Sequence, residues 1–247
     1  MATITKAYLE DQVKLSDTTG RTTPLLRHLV LTCVHEGLKS VFGANYSIRC
    51  LQGSFAVQSV LKSLGIESKF WGGSACVLKV HRSYPHDPNF GGFWEEDHHV
   101  WAVTEFMELV DLTISQLHLH PGSSRTDGLP IPPIWWDEIS RWPESIKYLP
   151  DGVARIDLTP EENAELVKVC ARSSLTLKQI LDAGRDTGTI SFEPILSGAE
   201  SLSALADSGD VWATFTIRAH QARVPMPDWI VNREAELRKI VEERHGS

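Results

Sequence analysis

The sequence predicts an α+β protein in which helices come first along the chain and an antiparallel sheet follows. Two observations support this fold class. Apolar residues recur every three or four positions between residues 24 and 64, which is the period of a buried helix face. After residue 65 the period falls towards two, with glycines and short polar turns between the runs, which is typical of strands joined by hairpins. Helices followed by strands, rather than a regular alternation of the two, favour α+β.

Two amphipathic helices are predicted ahead of the sheet. The first covers residues 24–42, because a proline suits the first helical turn and Gly43 follows the last apolar position. The second begins at Cys50, carries apolar side chains on one face and ends at Gly65, a residue type that often closes helices in the left-handed conformation. Residues 1–23 are polar and end in a turn-like stretch at residues 17–20.

The predicted strands after these helices cover residues 66–71, 74–80, 98–103 and 106–112. Gly72 and Gly73 separate the first two strands, since paired glycines are typical of turns. A tight turn at Thr104 and Glu105 joins the last two strands into a hairpin. Residues 82–96 are rich in proline, glycine and aromatic residues and are expected to form a loop.

The second half of the chain has weaker signals, and its helices are predicted from caps. Thr159 and Thr176 each begin a capping box, which predicts one helix to about Arg172 and another ending near Gly184. Asp228 is expected to cap a final helix. The segments predicted to be irregular or β-like are 113–150 and 186–224, the latter with a short β-like piece over 211–218.

A boundary is expected between residues 115 and 150, where prolines concentrate. It divides the chain into a core over residues 1–115 and a helical and irregular region over residues 116–247. We expect the second region to pack on the first, and a single compact unit is an open alternative.

The composition limits the classes of function. The chain has 247 residues, with 24 Lys and Arg against 32 Asp and Glu, and a formal charge of −8. Proteins that bind nucleic-acid backbones concentrate basic residues on one face, and no long basic run occurs here, so no nucleic acid partner is expected. Neither a signal peptide nor an apolar segment of membrane-spanning length is visible. The sequence therefore predicts a cytoplasmic protein without a membrane partner, and leaves its oligomeric state open.

The chain has 4 cysteines, and none of them forms a Cys-x-x-Cys pair, so free thiols are expected. Cys33, Cys76 and Cys170 lie inside apolar runs and are predicted to be packing residues. Cys50 differs because it begins a helix, where the dipole and the unpaired amides stabilise a thiolate. It is therefore a candidate nucleophile, and Arg49 would add positive potential if it points the same way. The alternative interpretation is a buried structural thiol.

A thiolate nucleophile needs an imidazole that helps to ionise it and later protonates the leaving group. His99 is the candidate, and His98 would serve instead if the strand register slipped by one residue. A hairpin that turns at residues 104–105 places residue 110 or Asp111 opposite His99, where the carboxylate can fix the imidazole tautomer. Alternatively, Asp111 is a strand-end carboxylate that forms a turn with Thr113.

These elements resemble the transglutaminase-like core of the papain-like cysteine peptidase superfamily. The residues that carry the resemblance are Arg49-Cys50, Leu64-Gly65-Ile66, His99-x-Trp101 and Val110-Asp111-x-Thr113. The resemblance implies a papain-like fold with N-terminal helices packed on an antiparallel sheet, and a triad of Cys50, His99 and Asp111. It also implies thiol-dependent hydrolysis or acyl transfer on a peptide or a small amide or ester. Papain-type enzymes carry a Gln shortly before the Cys to complete the oxyanion hole; this chain has none, which leaves Asn45 or backbone amides near Cys50 for that role.

Other functions are compatible with the same sequence. The fold could be a binding or structural module without catalysis. Histidines and aspartates cluster between His81 and His99 and at His118-x-His120, but no fixed ligand spacing such as His-Glu-x-x-His occurs, so no metal and no cofactor are predicted. Aromatic residues at 90–94 and the pair Trp135-Trp136 either line a substrate cleft or pack in the core.

Overall fold

The computed structural model describes residues 4–43, 46, 49–80, 89–93, 99–114, 117, 129–132, 136–138, 145–153, 157–183, 198–223 and 225–245. The helices in these segments are α1 (Lys6–Thr19), α2 (Pro24–Phe42), α3 (Cys50–Leu64), α4 (Pro160–Ala183), α5 (Gly198–Asp207), α6 (Val211–Gln221) and α7 (Asp228–His245). The strands are β1 (Ser68–Lys79), β2 (Asn89–Phe93), β3 (His99–Thr104), β4 (Glu108–Val110), β5 (Trp136–Glu138) and β6 (Ile146–Val153). These elements confirm the predicted α+β class, including the helices at 24–42 and 50–64.

The described strands form one antiparallel sheet in the order β2-β1-β3-β4-β5, and β6 also pairs with β1. The first half of β1 pairs with β3, so that Gly73 lies opposite His99. The second half pairs with β2, so that Leu78 lies opposite Phe90. Because β6 pairs with β1 as well, the long strand β1 fixes where the start of β3 lies relative to the second half of the chain.

The helices α2, α3 and α4 pack against one another, and α3 also lies against β3. Gly37 of α2 comes so close to α4 that a Cβ atom there would lie 2.1 Å from the Ser173 hydroxyl oxygen. A larger residue at position 37 would therefore push the two helices apart. The Ser54 hydroxyl donates to the Val100 carbonyl at 3.1 Å and ties α3 to β3. This packing brings the N-terminus of α3 to the start of β3.

The polar N-terminal segment, which the sequence pattern does not assign to an element, contains helix α1. Helix α1 begins after Thr5, whose side chain accepts a hydrogen bond from the Tyr8 amide at 3.2 Å. It ends at Gly20, which has a left-handed φ of 64°. The buried residues of α1 are Leu9 and Ser16. A helix with so narrow a buried face gives almost no apolar periodicity in the sequence.

The predicted break between two strands at Gly72 and Gly73 is wrong, because β1 continues through both glycines. A Cβ atom at Gly73 would lie 2.2 Å from the Leu149 carbonyl oxygen of β6. The glycine therefore permits a close strand contact, at a point where the β1–β6 register shifts, and does not form a turn. Residues 89–93, predicted as part of a loop, form β2.

Residues 160–183 form one helix, α4, where two helices were predicted. Thr159 caps this helix as predicted: its hydroxyl lies 2.7 Å from the Glu162 carboxylate, and the Glu162 amide donates back to that hydroxyl at 3.2 Å. Thr176 caps nothing, because its hydroxyl donates to the Arg172 carbonyl at 3.1 Å inside the helix. A threonine hydroxyl can serve either purpose, so the capping-box pattern alone does not separate the two.

The segments predicted to be irregular or β-like contain regular elements in their described parts. Strand β5 and most of β6 lie within residues 113–150, and helices α5 and α6 lie within residues 186–224. The β-like piece predicted over residues 211–218 is wrong, because this run belongs to α6. The Asp210 side chain caps α6 by accepting a hydrogen bond from the Ala213 amide at 2.7 Å.

A final helix, α7, is present as predicted, but Asp228 is its first helical residue and not the residue that caps it. Its Glu234 carboxylate pairs with Lys147 of β6 at 3.0 Å, so α7 is tied to the sheet. Elements from residues 116–247 contact those from residues 1–115 in several places: β6 pairs with β1, β5 pairs with β4, and α4 packs on α2 and α3. No helix in the described segments has an apolar stretch long enough to cross a lipid bilayer.

Candidate active site

Cys50 is the first residue of α3 and is half-buried. The amide of Gly53 donates to the Arg49 carbonyl at 2.9 Å, so the amides before Gly53 lie in the first turn, where a helix has no internal acceptors for them. The Val100 amide of β3 lies near the Cys50 sulfur and helps to lower the pKa of the thiol. The thiol therefore lies where a helix N-terminus meets the start of a strand.

His99 lies between Cys50 and Asp111. Its imidazole is buried, and its Nε2 atom is 2.6 Å from Oδ2 of Asp111. The Cys50 sulfur is close enough to the same imidazole for the two groups to shift each other's pKa. Since Nε2 faces the carboxylate, Nδ1 is the nitrogen that remains for the sulfur. The structure therefore brings the three predicted side chains together in a row of sulfur, imidazole and carboxylate.

The hairpin that holds these residues has a different register from the predicted one. Val103 lies opposite Leu109, so the same register places Trp101, rather than His99, opposite Asp111. The turn is longer than predicted, because β4 begins only at residue 108. The offset between Asp111 and His99 is two residues, an even number, so both side chains stay on one face and meet diagonally.

Asp111 is held by hydrogen bonds to both of its carboxylate oxygens. Oδ1 accepts from the Thr113 amide at 2.8 Å and from the Thr113 hydroxyl at 2.9 Å. Oδ2 accepts from the Tyr148 hydroxyl at 2.8 Å, besides facing His99. Burial would raise the pKa of this carboxyl, but the charge and hydrogen bond of His99, with those from Thr113 and Tyr148, lower it. The turn with Thr113 and the contact with His99 are thus compatible, since each uses a different oxygen.

The electrostatics of the row favour a thiolate beside an imidazolium. Burial alone would raise the pKa of the Cys50 thiol, but the hydrogen bond and charge of His99 and the Val100 amide outweigh it, and the pKa is lowered. Burial likewise disfavours a charged His99, but the charge and hydrogen bond of Asp111, followed by those of Cys50, raise the pKa of His99 to about 10. An imidazolium therefore stabilises the thiolate at neutral pH.

The other cysteines have the opposite electrostatics. Burial raises the pKa of Cys33 to about 12 and that of Cys76 well above its usual value. Cys170 is half-buried, like Cys50, yet burial raises its pKa, against a smaller lowering effect of a hydrogen bond with Ser59. The similar exposure of Cys50 and Cys170 shows that exposure does not explain the difference.

The site can now be set beside known proteins. No protein-family model, curated protein or solved structure matches this chain. Its chemistry must therefore be inferred from its own side chains and their geometry.

One residue of the site, Tyr148, has no local signal in the sequence, because its contact with Asp111 depends on the pairing of β6 with the distant strand β1. Sequence patterns report neighbours along the chain and not such long-range pairs.

Arg49 does not supply the positive charge that lowers the pKa of Cys50. Its Nη1 atom pairs with the Glu165 carboxylate of α4 at 3.0 Å, and its guanidinium lies 4.4 Å from the centre of the Phe42 ring. Gln52 donates to the same Glu165 oxygen at 3.0 Å. Arg49 and Gln52, which lie beside the nucleophile, thus both bind Glu165 of α4. These contacts hold the start of α3 in place.

The remaining sequence-based candidates have different outcomes. Those outside the described residues are Asn45, His81, His86, Trp94, His98, His118, His120 and Trp135. Trp136 packs in the core, where it is fully buried and donates to the Glu108 carboxylate at 2.9 Å. Phe90 lines a cavity that does not include the triad. Within the part of the chain that the structure describes, no group of three metal-ligating side chains comes together.

Proposed function

We propose that this protein is a thiol-dependent hydrolase or acyltransferase that acts on an amide or ester bond through Cys50, His99 and Asp111. The observation that supports it is the row in which Oδ2 of Asp111 lies 2.6 Å from Nε2 of His99, and the His99 imidazole lies beside the Cys50 sulfur. In this row the pKa of the thiol is lowered while that of the imidazole is raised. This is the pattern of an activated nucleophile and not of a packing cysteine.

The first half-reaction forms a thioester. The Cys50 sulfur attacks the carbonyl carbon, a C–S bond forms, and the carbonyl electron pair moves onto oxygen. Backbone amides in the first turn of α3, at Cys50 and Leu51, are the donors that this chain offers to the oxyanion. The His99 imidazolium then gives its proton to the leaving nitrogen or oxygen as the bond to carbon breaks.

The second half-reaction regenerates the thiolate. Neutral His99 accepts a proton from water or from an amine, which attacks the thioester carbon and displaces the sulfur. Water gives hydrolysis and an amine gives acyl transfer. Asp111 stays ionised throughout, accepts the hydrogen bond from Nε2 and holds the ring so that Nδ1 faces the sulfur.

We propose a papain-like fold of the transglutaminase type for the part of the chain that carries this site. In support, the nucleophile begins a helix, and the base and the orienting carboxylate come from neighbouring antiparallel strands, β3 and the end of β4. Helices α2 and α3 precede the sheet, as the resemblance implies. Peptides and small amides or esters are the proposed substrates.

The proposal predicts a covalent acyl-enzyme on Cys50. Incubating the protein with p-nitrophenyl acetate near neutral pH should acetylate Cys50 and release p-nitrophenolate in a burst, as shown by intact mass and peptide mapping. Cys170 is a control within the chain, since it is similarly exposed but has a raised pKa and should stay unmodified.

Two variants complete the test. Cys50→Ala should lose the acyl adduct, and Cys170→Ala should keep it. If acetylation is absent, or is equal on Cys50 and Cys170, the proposed function is wrong and the alternative of a non-catalytic module with the same fold is favoured.

A further inference from the structure

A cavity of about 460 Å³ lies near the C-terminal end of β1, whereas the triad lies beside the middle of that strand. The cavity is lined by Leu78 of β1, Phe90 of β2 and one side of α6. Gly73 lies opposite His99, and Leu78 is further along the same strand, at roughly 16 Å for a rise of about 3.3 Å per residue. The three triad side chains are described, and none of them lines the cavity. It is therefore separate from the proposed active site.

The cavity wall contains two buried hydroxyl groups, those of Thr216 and Ser145. Thr216 of α6 is 1% exposed and Ser145 is 8% exposed. Neither hydroxyl oxygen has a hydrogen-bond partner among the described residues. A helical threonine usually bonds a carbonyl in the preceding turn, as Thr214 does with Asp210 at 2.7 Å. Because an unpaired buried hydroxyl is costly, both groups indicate a bound polar partner.

The charge of the lining favours an anion. The described lining residues include Arg223 and no aspartate or glutamate, although the whole chain has 32 acidic residues and a charge of −8. Arg223 is exposed at the rim and has no ion pair within the described segments. It has a left-handed φ of 53°, unusual for a residue with a side chain, and its amide donates to the His220 carbonyl at 3.0 Å.

Besides the polar residues His220 and Gln221, the rest of the lining is apolar and supplies space for a small organic group. Leu78, Phe90, Ala219 and Met226 present aliphatic, aromatic and thioether surface. A cavity of about 460 Å³ lies within the usual range of small-molecule sites. A ligand that suits this lining has an apolar body and an anionic end that accepts hydrogen bonds.

We propose that this cavity binds a small monocarboxylate with an apolar or aromatic body. The body packs on Leu78, Phe90 and Met226, and the carboxylate accepts hydrogen bonds from the wall hydroxyls while Arg223 supplies the opposite charge. This site does not depend on the proposed acyl chemistry at Cys50.

Isothermal titration calorimetry tests the proposal with 4-phenylbutyrate and straight-chain carboxylates from hexanoate to decanoate. We expect at least one of these probes to bind one site per chain, and the matching neutral amide to bind about tenfold more weakly or less, because a charge-assisted hydrogen bond is lost. If none of the carboxylates binds saturably at millimolar concentration, or if the amide binds as tightly, the proposal is overturned.

Variants locate the site. Thr216→Val removes one hydroxyl at nearly constant volume and should weaken binding about tenfold, and Ala219→Phe should block the cavity. Thr214→Val is the matched control on the same helix and should leave the affinity unchanged. Thermal melting checks that each variant is folded. If Ala219→Phe does not fold, Thr216→Val still tests the location of the site. Cys50→Ala should retain binding. Unchanged affinity in folded Thr216→Val, or loss of binding in Cys50→Ala, would contradict the proposal.

Discussion

Glu108 and Asp111 are buried carboxylates on the same hairpin, yet they point to opposite faces of the sheet and have different cationic partners. Glu108 lies 2.5 Å from Arg27 and also accepts from Trp136 at 2.9 Å. Asp111 lies 2.6 Å from His99. Both carboxylates are saturated with donors, so burial and hydrogen bonding do not distinguish them.

The difference lies in what each partner can do. A guanidinium keeps its proton at all physiological pH values, so the pair of Glu108 and Arg27 is a fixed charge pair that joins the start of α2 to the sheet. An imidazole can gain and lose a proton, and His99 also contacts a sulfur. A buried carboxylate thus indicates a structural or a chemical role according to the titratability of its partner and what that partner touches next.

The largest effect is expected from removing the fixed cation. Arg27→Met leaves the Glu108 carboxylate buried without a counter-charge and should lower the free energy of unfolding by about 3–5 kcal/mol. Urea denaturation measures this loss. The double variant Arg27→Met/Glu108→Gln should recover part of it, because no uncompensated charge remains and the amide oxygen can still accept from Trp136. Equal destabilisation of the single and double variants would show that Glu108 is not held by this charge pair.

The next largest effect concerns the other carboxylate. Asp111→Asn should reduce the acylation rate of Cys50 about a hundredfold, because the imidazolium loses its counter-charge and its fixed orientation. The measurement is the p-nitrophenolate burst rate on folded protein. Glu108→Gln, the matched change on the opposite face, should lower stability and leave that rate unchanged. If the two variants exchange these phenotypes, the assignment of roles is wrong.

A smaller effect is expected from changing Tyr148, whose hydroxyl donates a hydrogen bond to Asp111. Tyr148→Phe removes the 2.8 Å hydrogen bond to Asp111 and should slow acylation by about tenfold or less, with a loss in stability of about 1 kcal/mol. Tyr46→Phe is the matched control, because the Tyr46 hydroxyl lies 2.8 Å from Nδ1 of His35, a histidine outside the triad. It should cost similar stability without changing the burst rate. A burst rate in Tyr148→Phe equal to that of the unmodified protein would remove Tyr148 from the site.

Local chemistry explains which parts of the fold could be predicted. Helices α2 and α3 follow from apolar periodicity and from the closing glycines Gly43 and Gly65, and these signals lie within one stretch of chain. Strand β6 gives no such signal, because its pairing with β1 is long-range and Pro150 lies within it. The run Val211–Gln221 has strand-like composition, and the Asp210 cap and the surrounding packing make it helical.

The residues of the site also fall into those that local sequence patterns predict and those that they do not. Residue type and strand parity were sufficient to bring Cys50, His99 and Asp111 into consideration, even though the predicted register was wrong. The strand register places Asp111 opposite Trp101, two residues away from His99. Because two is an even number, the side chains of Asp111 and His99 still lie on the same face of the sheet. The contact with Tyr148 and the engagement of Arg49 by Glu165 depend on elements far apart in sequence, and no local pattern predicts them.

The most direct test of the site is the pH dependence of iodoacetamide labelling, resolved by peptide mapping into Cys50 and Cys170. Because the pKa of Cys50 is lowered and that of His99 is raised to about 10, Cys50 should react as a thiolate well below pH 9. Its rate should rise again near pH 10, when the imidazolium loses its proton. Cys170, whose pKa is raised, should react only above pH 9. A Cys50 rate that rises together with that of Cys170 would contradict the account, because no thiolate–imidazolium pair would then exist.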